Sequence, residues 1–219
     1  MKQNNLWTYG CSWTQGNSLK DVYDDHSGGK HSNFAYPKVL SKQLRMNCKN
    51  RGFSGRGNDA ILHSILDDCD KWQENDIVIV MWSGYTRKVF YNNDRQEGLN
   101  LLANIPGHSQ KWFDSYLKYD SKSDWLDSRI RSGYNRLAAE TIANGKNILL
   151  IHTETSFGDI YNPKEGKDVV EEKIKKNKFK HFVKIPFEND CGALDKSHPG
   201  PIWHAKVATY FYNYIKKIK

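Results

Sequence analysis

Ile77-Val78-Ile79-Val80-Met81, with Asp76 before it and Trp82-Ser83 after it, is an unbroken apolar run of strand-forming residues. Such a run leaves no face for solvent, so it predicts a strand buried on both sides rather than the alternating pattern of a half-exposed one. Ile148-Leu149-Leu150-Ile151 repeats the pattern. Two strands of this kind call for a parallel sheet covered by helices on each face.

Working outward, strands are expected over 6–10, 48–52, 76–83, 147–154 and 181–187. Helical patterns fall at 36–45, 58–72, 123–144 and 168–178, with a last helix from about 201 to 218. Parallel neighbours need crossover connections, so the alternation predicts a three-layer α/β/α sandwich with a five-stranded parallel sheet, one domain over 1–219. Such sheets bind ligands at the carboxyl ends of their strands. The stretch 88–119, with Asn92-Asn93-Asp94 and Pro106-Gly107, fits neither strand nor helix and is expected to be an insertion or lid.

The chain has 219 residues, 38% hydrophobic and 13% aromatic, enough for a self-folding core. No apolar run approaches the ~20 residues that span a bilayer, and residues 1–5 lack the character of a signal peptide. A soluble, unexported cytoplasmic protein with no membrane partner is expected. Cys11, Cys48, Cys69 and Cys191 show no CxxC spacing, which favours reduced thiols. The net charge of +8 would suit an anionic partner, but Lys164, Lys167, Lys173, Lys175, Lys176, Lys178, Lys180 and Lys184 share one stretch that reads as a solvated helix face. Nucleic acid is therefore not the favoured partner.

Three motifs carry chemistry. Gly10-Cys11-Ser12-Trp13-Thr14-Gln15-Gly16 closes the first strand, so Ser12 stands at the mouth of the crevice. Leu194-Asp195-Lys196-Ser197-His198-Pro199-Gly200-Pro201 precedes the final helix, with Pro201 suited to its first position. A serine nucleophile needs an imidazole to take its proton and a carboxylate to orient that ring, and a three-residue separation lets Asp195 and His198 act from one turn. Third, Asn50-Arg51-Gly52-Phe53-Ser54-Gly55-Arg56-Gly57-Asn58-Asp59 follows the second strand, where glycine N–H groups can approach a substrate oxyanion. That spacing matches neither phosphate-binding glycine signature.

In order and position these motifs resemble the SGNH/GDSL hydrolase family, over nearly the whole chain. The resemblance implies the flavodoxin-like SGNH fold, ester hydrolysis without a cofactor, and a small-molecule or carbohydrate ester as substrate. Gly10-Cys11-Ser12 matches the GDS block, with cysteine for aspartate, and makes Ser12 nucleophile and backbone oxyanion donor. Gly55 matches the second-block glycine, and Asp195 with His198 matches DxxH. The third block departs: where the family has G-x-N-D, this chain has Ser83-Gly84-Tyr85-Thr86-Arg87, which puts Tyr85 at the oxyanion asparagine and leaves Asn58 or Thr86 as substitutes. The GCSWT opening and DxxHP close are similar to SGNH-like proteins of bacteriophages. A non-catalytic binding or virion-associated protein on the same fold is the alternative.

Trp13 and Trp82, expected at strand ends, are candidate walls for a sugar ring, and Arg87 a candidate anchor for a substrate anion. Cys11 is a rival nucleophile. Asp24, Asp25, His26 and His31, or His198 with His204, were they ligands, would show no familiar metal spacing, so no metal is expected.

Overall fold

The computed structural model describes residues 3–23, 29–84, 88–92, 97–101, 122–155 and 179–219, without the side chains of 88–92, 97–101 and 122–130. The elements are β1 (Asn5–Gly10), α1 (Ser12–Gln15), α2 (Tyr36–Leu44), β2 (Asn47–Gly52), α3 (Asn58–Asp68), β3 (Ile77–Trp82), β4 (Lys88–Asn92), β5 (Glu97–Leu101), α4 (Lys122–Gly145), β6 (Leu149–Glu154) and α5 (Pro201–Ile218). The main sheet is parallel, in the order β2-β1-β3-β6.

Strand geometry sends successive side chains to opposite faces. Leu6, Ile77, Ile79, Met81 and Ile151 therefore meet Tyr36, Leu40, Val207 and Phe211 of α2 and α5 on one side. Trp7, Tyr9, Val78, Val80 and Leu150 meet Ile61 and Ile65 of α3 and Ala139 and Ala143 of α4 on the other. This is the expected α/β/α sandwich, and it buries both faces of the apolar runs that predicted it. Asp76 fixes its register at the lower edge. The buried carboxylate accepts hydrogen bonds from the Asn5 amide (2.7 Å), Trp7 Nε1 (2.9 Å) and the Gln73 amide (3.2 Å), which ties β1 to the start of β3.

The sheet has four strands rather than the five expected. The segment 181–187 reaches β6 through one parallel bridge, the His152 amide donating to His181 O (2.9 Å) and the Val183 amide to His152 O (2.8 Å). Pro186 has no N–H to extend the ladder, and Lys184 and Phe182 are exposed, so no further pairing follows. Within 88–119 the expectation of no strand is corrected for ten residues: β4 and β5 pair antiparallel, Lys88 opposite Leu101, while 102–119 and the helix expected at 168–178 lie outside the described residues. Five-residue strands are too short for their period to stand out. No described helix is long and apolar enough to cross a membrane.

Two histidines are buried among the described residues. His152 Nδ1 accepts from Trp82 Nε1 (3.0 Å) and Nε2 donates to Glu140 Oε2 (2.9 Å). Burial lowers its pKa against the pull of Glu140. His204 Nδ1 accepts from the Tyr36 amide (3.2 Å), and burial lowers its pKa to about 3. Both are neutral in the fold, whereas the unfolded chain takes up protons near the ordinary histidine value. Acidification therefore favours unfolding, between that value and the lowered one. Urea midpoints should fall from pH 7 to pH 5, with about 2 kcal/mol lost to His204 alone, and His204→Gln should flatten the slope.

Candidate active site

The site begins where β1 stops. Cys11 O accepts from the Thr14 and Gln15 amides (both 3.0 Å), folding α1 straight back over the strand end. Gly10 makes this possible, because a Cβ there would overlap Thr14 Oγ1. Asn50, at the end of β2, secures the same turn, with Nδ2 donating to Thr14 O (2.9 Å) and Oδ1 accepting from the Gly52 amide (2.9 Å). Ser12 opens α1, so its N–H has no acceptor within the helix. Its side of the turn is enclosed, and Ser12 is 2% exposed.

The opposing loop, 189–200, is held by its own polar groups. Asp190 Oδ1 accepts from the Gly192 amide (3.1 Å) and the Gly200 amide (2.7 Å). Asn189 Nδ2 donates to Ser197 O (2.8 Å), and the Ala193 amide to His198 O (3.1 Å). Its two glycines touch: a Cβ on Gly200 would lie 2.7 Å from Gly192 Cα. The Leu194 amide donates to Ser18 O (3.0 Å), docking the loop against the chain just beyond α1.

Docking brings three side chains into line. His198 Nε2 lies 3.0 Å from Ser12 Oγ, and His198 Nδ1 lies 2.5 Å from Asp195 Oδ2. A carboxylate only accepts, so Nδ1 carries the ring proton and Nε2 presents its lone pair to the serine hydroxyl. Asp195 is itself well supplied: Oδ1 accepts from the Ser197 and His198 amides (3.0 Å each), and Oδ2 from Ser18 Oγ (2.8 Å). Partial burial opposes its ionisation, yet these donors outweigh it and hold the carboxyl far below the usual range. The arrangement can move a proton from Ser12 to His198 while Asp195 remains an anion.

Other expected residues fall elsewhere. Trp13 is not a crevice wall: it is 2% exposed and packs edge-to-face on Trp203 at 5.2 Å. Trp82 is fully buried on the opposite face, bonded to His152. Both corrections have one cause, since large apolar groups at strand ends gain most between sheet and helices. Asn58 is likewise engaged, Nδ2 donating to Ser83 O (3.1 Å) and Ser132 Oγ (2.8 Å) and Oδ1 accepting from the Ser83 amide (2.8 Å). It braces the end of β3 instead of offering a free donor. Cys11 is fully buried in the core cluster with residues of α2 and α5. Gly55 follows β2 with φ +80°, and the neighbouring Ser54 Oγ accepts from Asn17 Nδ2 (3.2 Å).

Tyr85, Thr86, Arg87, Asp24, Asp25 and His26 lie outside the described residues, as do the lysines of 164–178. His31 Nε2 donates to Gly52 O (2.9 Å), and the described residues contain no cluster of three metal-ligating side chains. A cleft of about 440 Å³ runs along the β2 edge between Lys38, Lys49, Arg51 and Lys71, and its lining includes none of Ser12, Asp195 or His198. Arg51 and Lys71 there are paired with the buried Asp68, at 2.6 and 2.7 Å.

No family model and no curated protein sequence matches this chain. Solved structures do. The psychrotrophic esterase EstA from Pseudoalteromonas sp. is 14% identical, TM-score 0.57, over 98% of this chain and 97% of that one. Est24, a carbohydrate acetylesterase from Sinorhizobium meliloti, is 10% identical, TM-score 0.56, over 99% and 100%. A protein assigned to the lipolytic G-D-S-L family from Desulfitobacterium hafniense DCB-2 is 16% identical, TM-score 0.53, over 96% and 98%. At these identities the likeness concerns the fold, and the chain has the fold of the SGNH/GDSL hydrolases.

Ser18, Asp190 and the bracing part of Asn58 escaped the sequence reading. Asp190 had a local signal, an acidic residue opening a glycine-containing loop. Ser18 had none, because its partner is 177 positions away. Gly200→Ala tests the loop: it should cost roughly 1–3 kcal/mol through overpacking, with faster hydrogen exchange at the Ala193 and Leu194 amides.

Proposed function

We propose that the chain is a serine esterase in which Ser12 is the nucleophile, His198 the general base and Asp195 the residue that orients the imidazole. The observation that carries this reading is the unbroken line Ser12 Oγ, His198 Nε2, His198 Nδ1, Asp195 Oδ2, with spacings of 3.0 and 2.5 Å. Ser12 Oγ attacks the ester carbonyl as its proton passes to Nε2. The imidazolium, facing an anionic Asp195, then protonates the departing alcohol. Water enters, gives its proton to the same nitrogen and releases the acid, restoring Ser12.

The tetrahedral oxyanion falls in this reading to the Ser12 and Gly55 amides, with Tyr85, at the sequence position where the resemblance expects asparagine, as the third donor. With Trp13 and Trp82 buried, the case for a carbohydrate O-acetyl substrate rests on the likeness to Est24, with the His198 side chain partly exposed to an incoming ester. The binding-protein alternative draws on the replaced third block and on the engagement of Asn58. It predicts ligand binding with an unreactive Ser12.

A chromogenic acetyl ester should give burst release followed by turnover, and a fluorophosphonate should label Ser12. Ser12→Ala should abolish labelling and lower kcat/KM by at least about 10³-fold. Hydrolysis that survives the substitution refutes Ser12 as nucleophile, and an unlabelled wild-type serine favours the binding protein.

A further inference from the structure

Ser18 has a backbone that its side chain does not explain. Its φ is +63°, in the left-handed region where a serine is strained, yet it is buried and wholly bonded. Its amide donates to Asn17 Oδ1 (2.9 Å), its carbonyl accepts from the Leu194 amide (3.0 Å), and its hydroxyl donates to Asp195 Oδ2 (2.8 Å). The left-handed turn aims carbonyl and hydroxyl together at the loop that carries Asp195 and His198. A glycine would adopt this turn without strain and could still supply the carbonyl. Only the hydroxyl distinguishes serine.

The oxygen it reaches is informative. Asp195 Oδ1 takes its two hydrogen bonds from within the same loop, from Ser197 and His198. Oδ2, the oxygen that faces the imidazole, has Ser18 as its donor from the other side of the site. Five residues separate Ser18 from Ser12, and α1 with its left-handed Gly16 joins them. The hydroxyl thus refers the carboxylate, and through it the ring, to the same turn that carries the serine.

We propose that Ser18 is a positioning residue, whose hydroxyl fixes Asp195 Oδ2 and so sets the imidazole for proton transfer from Ser12. The inference rests on the esterase reading for its catalytic consequence, but its geometric content is independent of that reading.

The experiment compares Ser18→Gly and Ser18→Ala. Both lose the hydroxyl, but glycine relieves the strained turn, so it should melt about 2–4 °C above the alanine variant. If the hydroxyl positions the carboxylate, both variants label with fluorophosphonate roughly 10- to 100-fold more slowly than wild type, and kcat falls with KM unchanged, whatever their melting order. If Ser18 only shapes the chain, activity follows stability and Ser18→Gly reacts at the wild-type rate, which overturns the proposal. The low-field proton resonance of His198 Nδ1 gives a second readout that needs no turnover. It should shift in both variants, and an unchanged resonance in both overturns the proposal even where Ser12 proves unreactive. A wild-type serine that resists labelling while the resonance still shifts removes the esterase reading and leaves the positioning role standing.

Discussion

The contact on which this molecule turns is the docking of the loop 189–200 against the segment that follows β1. It is made by few groups: the Leu194 amide on Ser18 O, the Ser18 hydroxyl on Asp195, and His198 on Ser12. Each partner is braced by bonds of its own. α1 is folded onto its strand end over Gly10, and the loop is cinched by Asp190 and by the touching pair Gly192 and Gly200. Preorganised surfaces lose little entropy when they meet, which is how a handful of hydrogen bonds can hold a proton-transfer geometry.

The rest of the fold serves to bring those surfaces to one height. Asp76 ties β1 to β3 at the bottom of the sheet, and the parallel register then delivers Gly10 level with Gly52 at the top. From the far end of the chain, α5 lies on α2 through Tyr36 and Phe211 and through the Tyr36 amide on His204. Pro201 starts that helix directly after the loop, so the position of His198 is set by the packing of α5. Apolar burial supplies the force and hydrogen bonds supply the register.

How far this could be read in advance differed by element. β3 and the start of β6 were legible because both faces are buried there, so β3 and the run Ile148-Leu149-Leu150-Ile151 contain only apolar residues. The 181–187 segment carried the same composition diluted by Lys184 and Pro186, and only a ladder count could show that it contributes one bridge. Ser12, Asp195 and His198 could be nominated because their residue types and chain positions suit one chemistry, and the geometry draws them together. Trp13 and Trp82 show the limit of that logic. A tryptophan at a strand end can line a crevice or fill a layer, and the choice is made by neighbours such as Trp203 and His152 that no local pattern announces. Ser18 lay further out of reach, since a strained φ leaves no trace in a serine's identity.

The separation of Ser12 from His198 along the chain also has a temporal side. During synthesis Ser12 emerges early, and β1 has no partner on either edge until β2 and β3 follow. His198 comes 186 positions later, directly ahead of the helix that must pack on α2 before the loop is steady. A nascent chain therefore displays the Ser12 hydroxyl without its imidazole partner until His198 has been added. The line from Ser12 to Asp195 is assembled only once α5 packs on α2 and seats the imidazole.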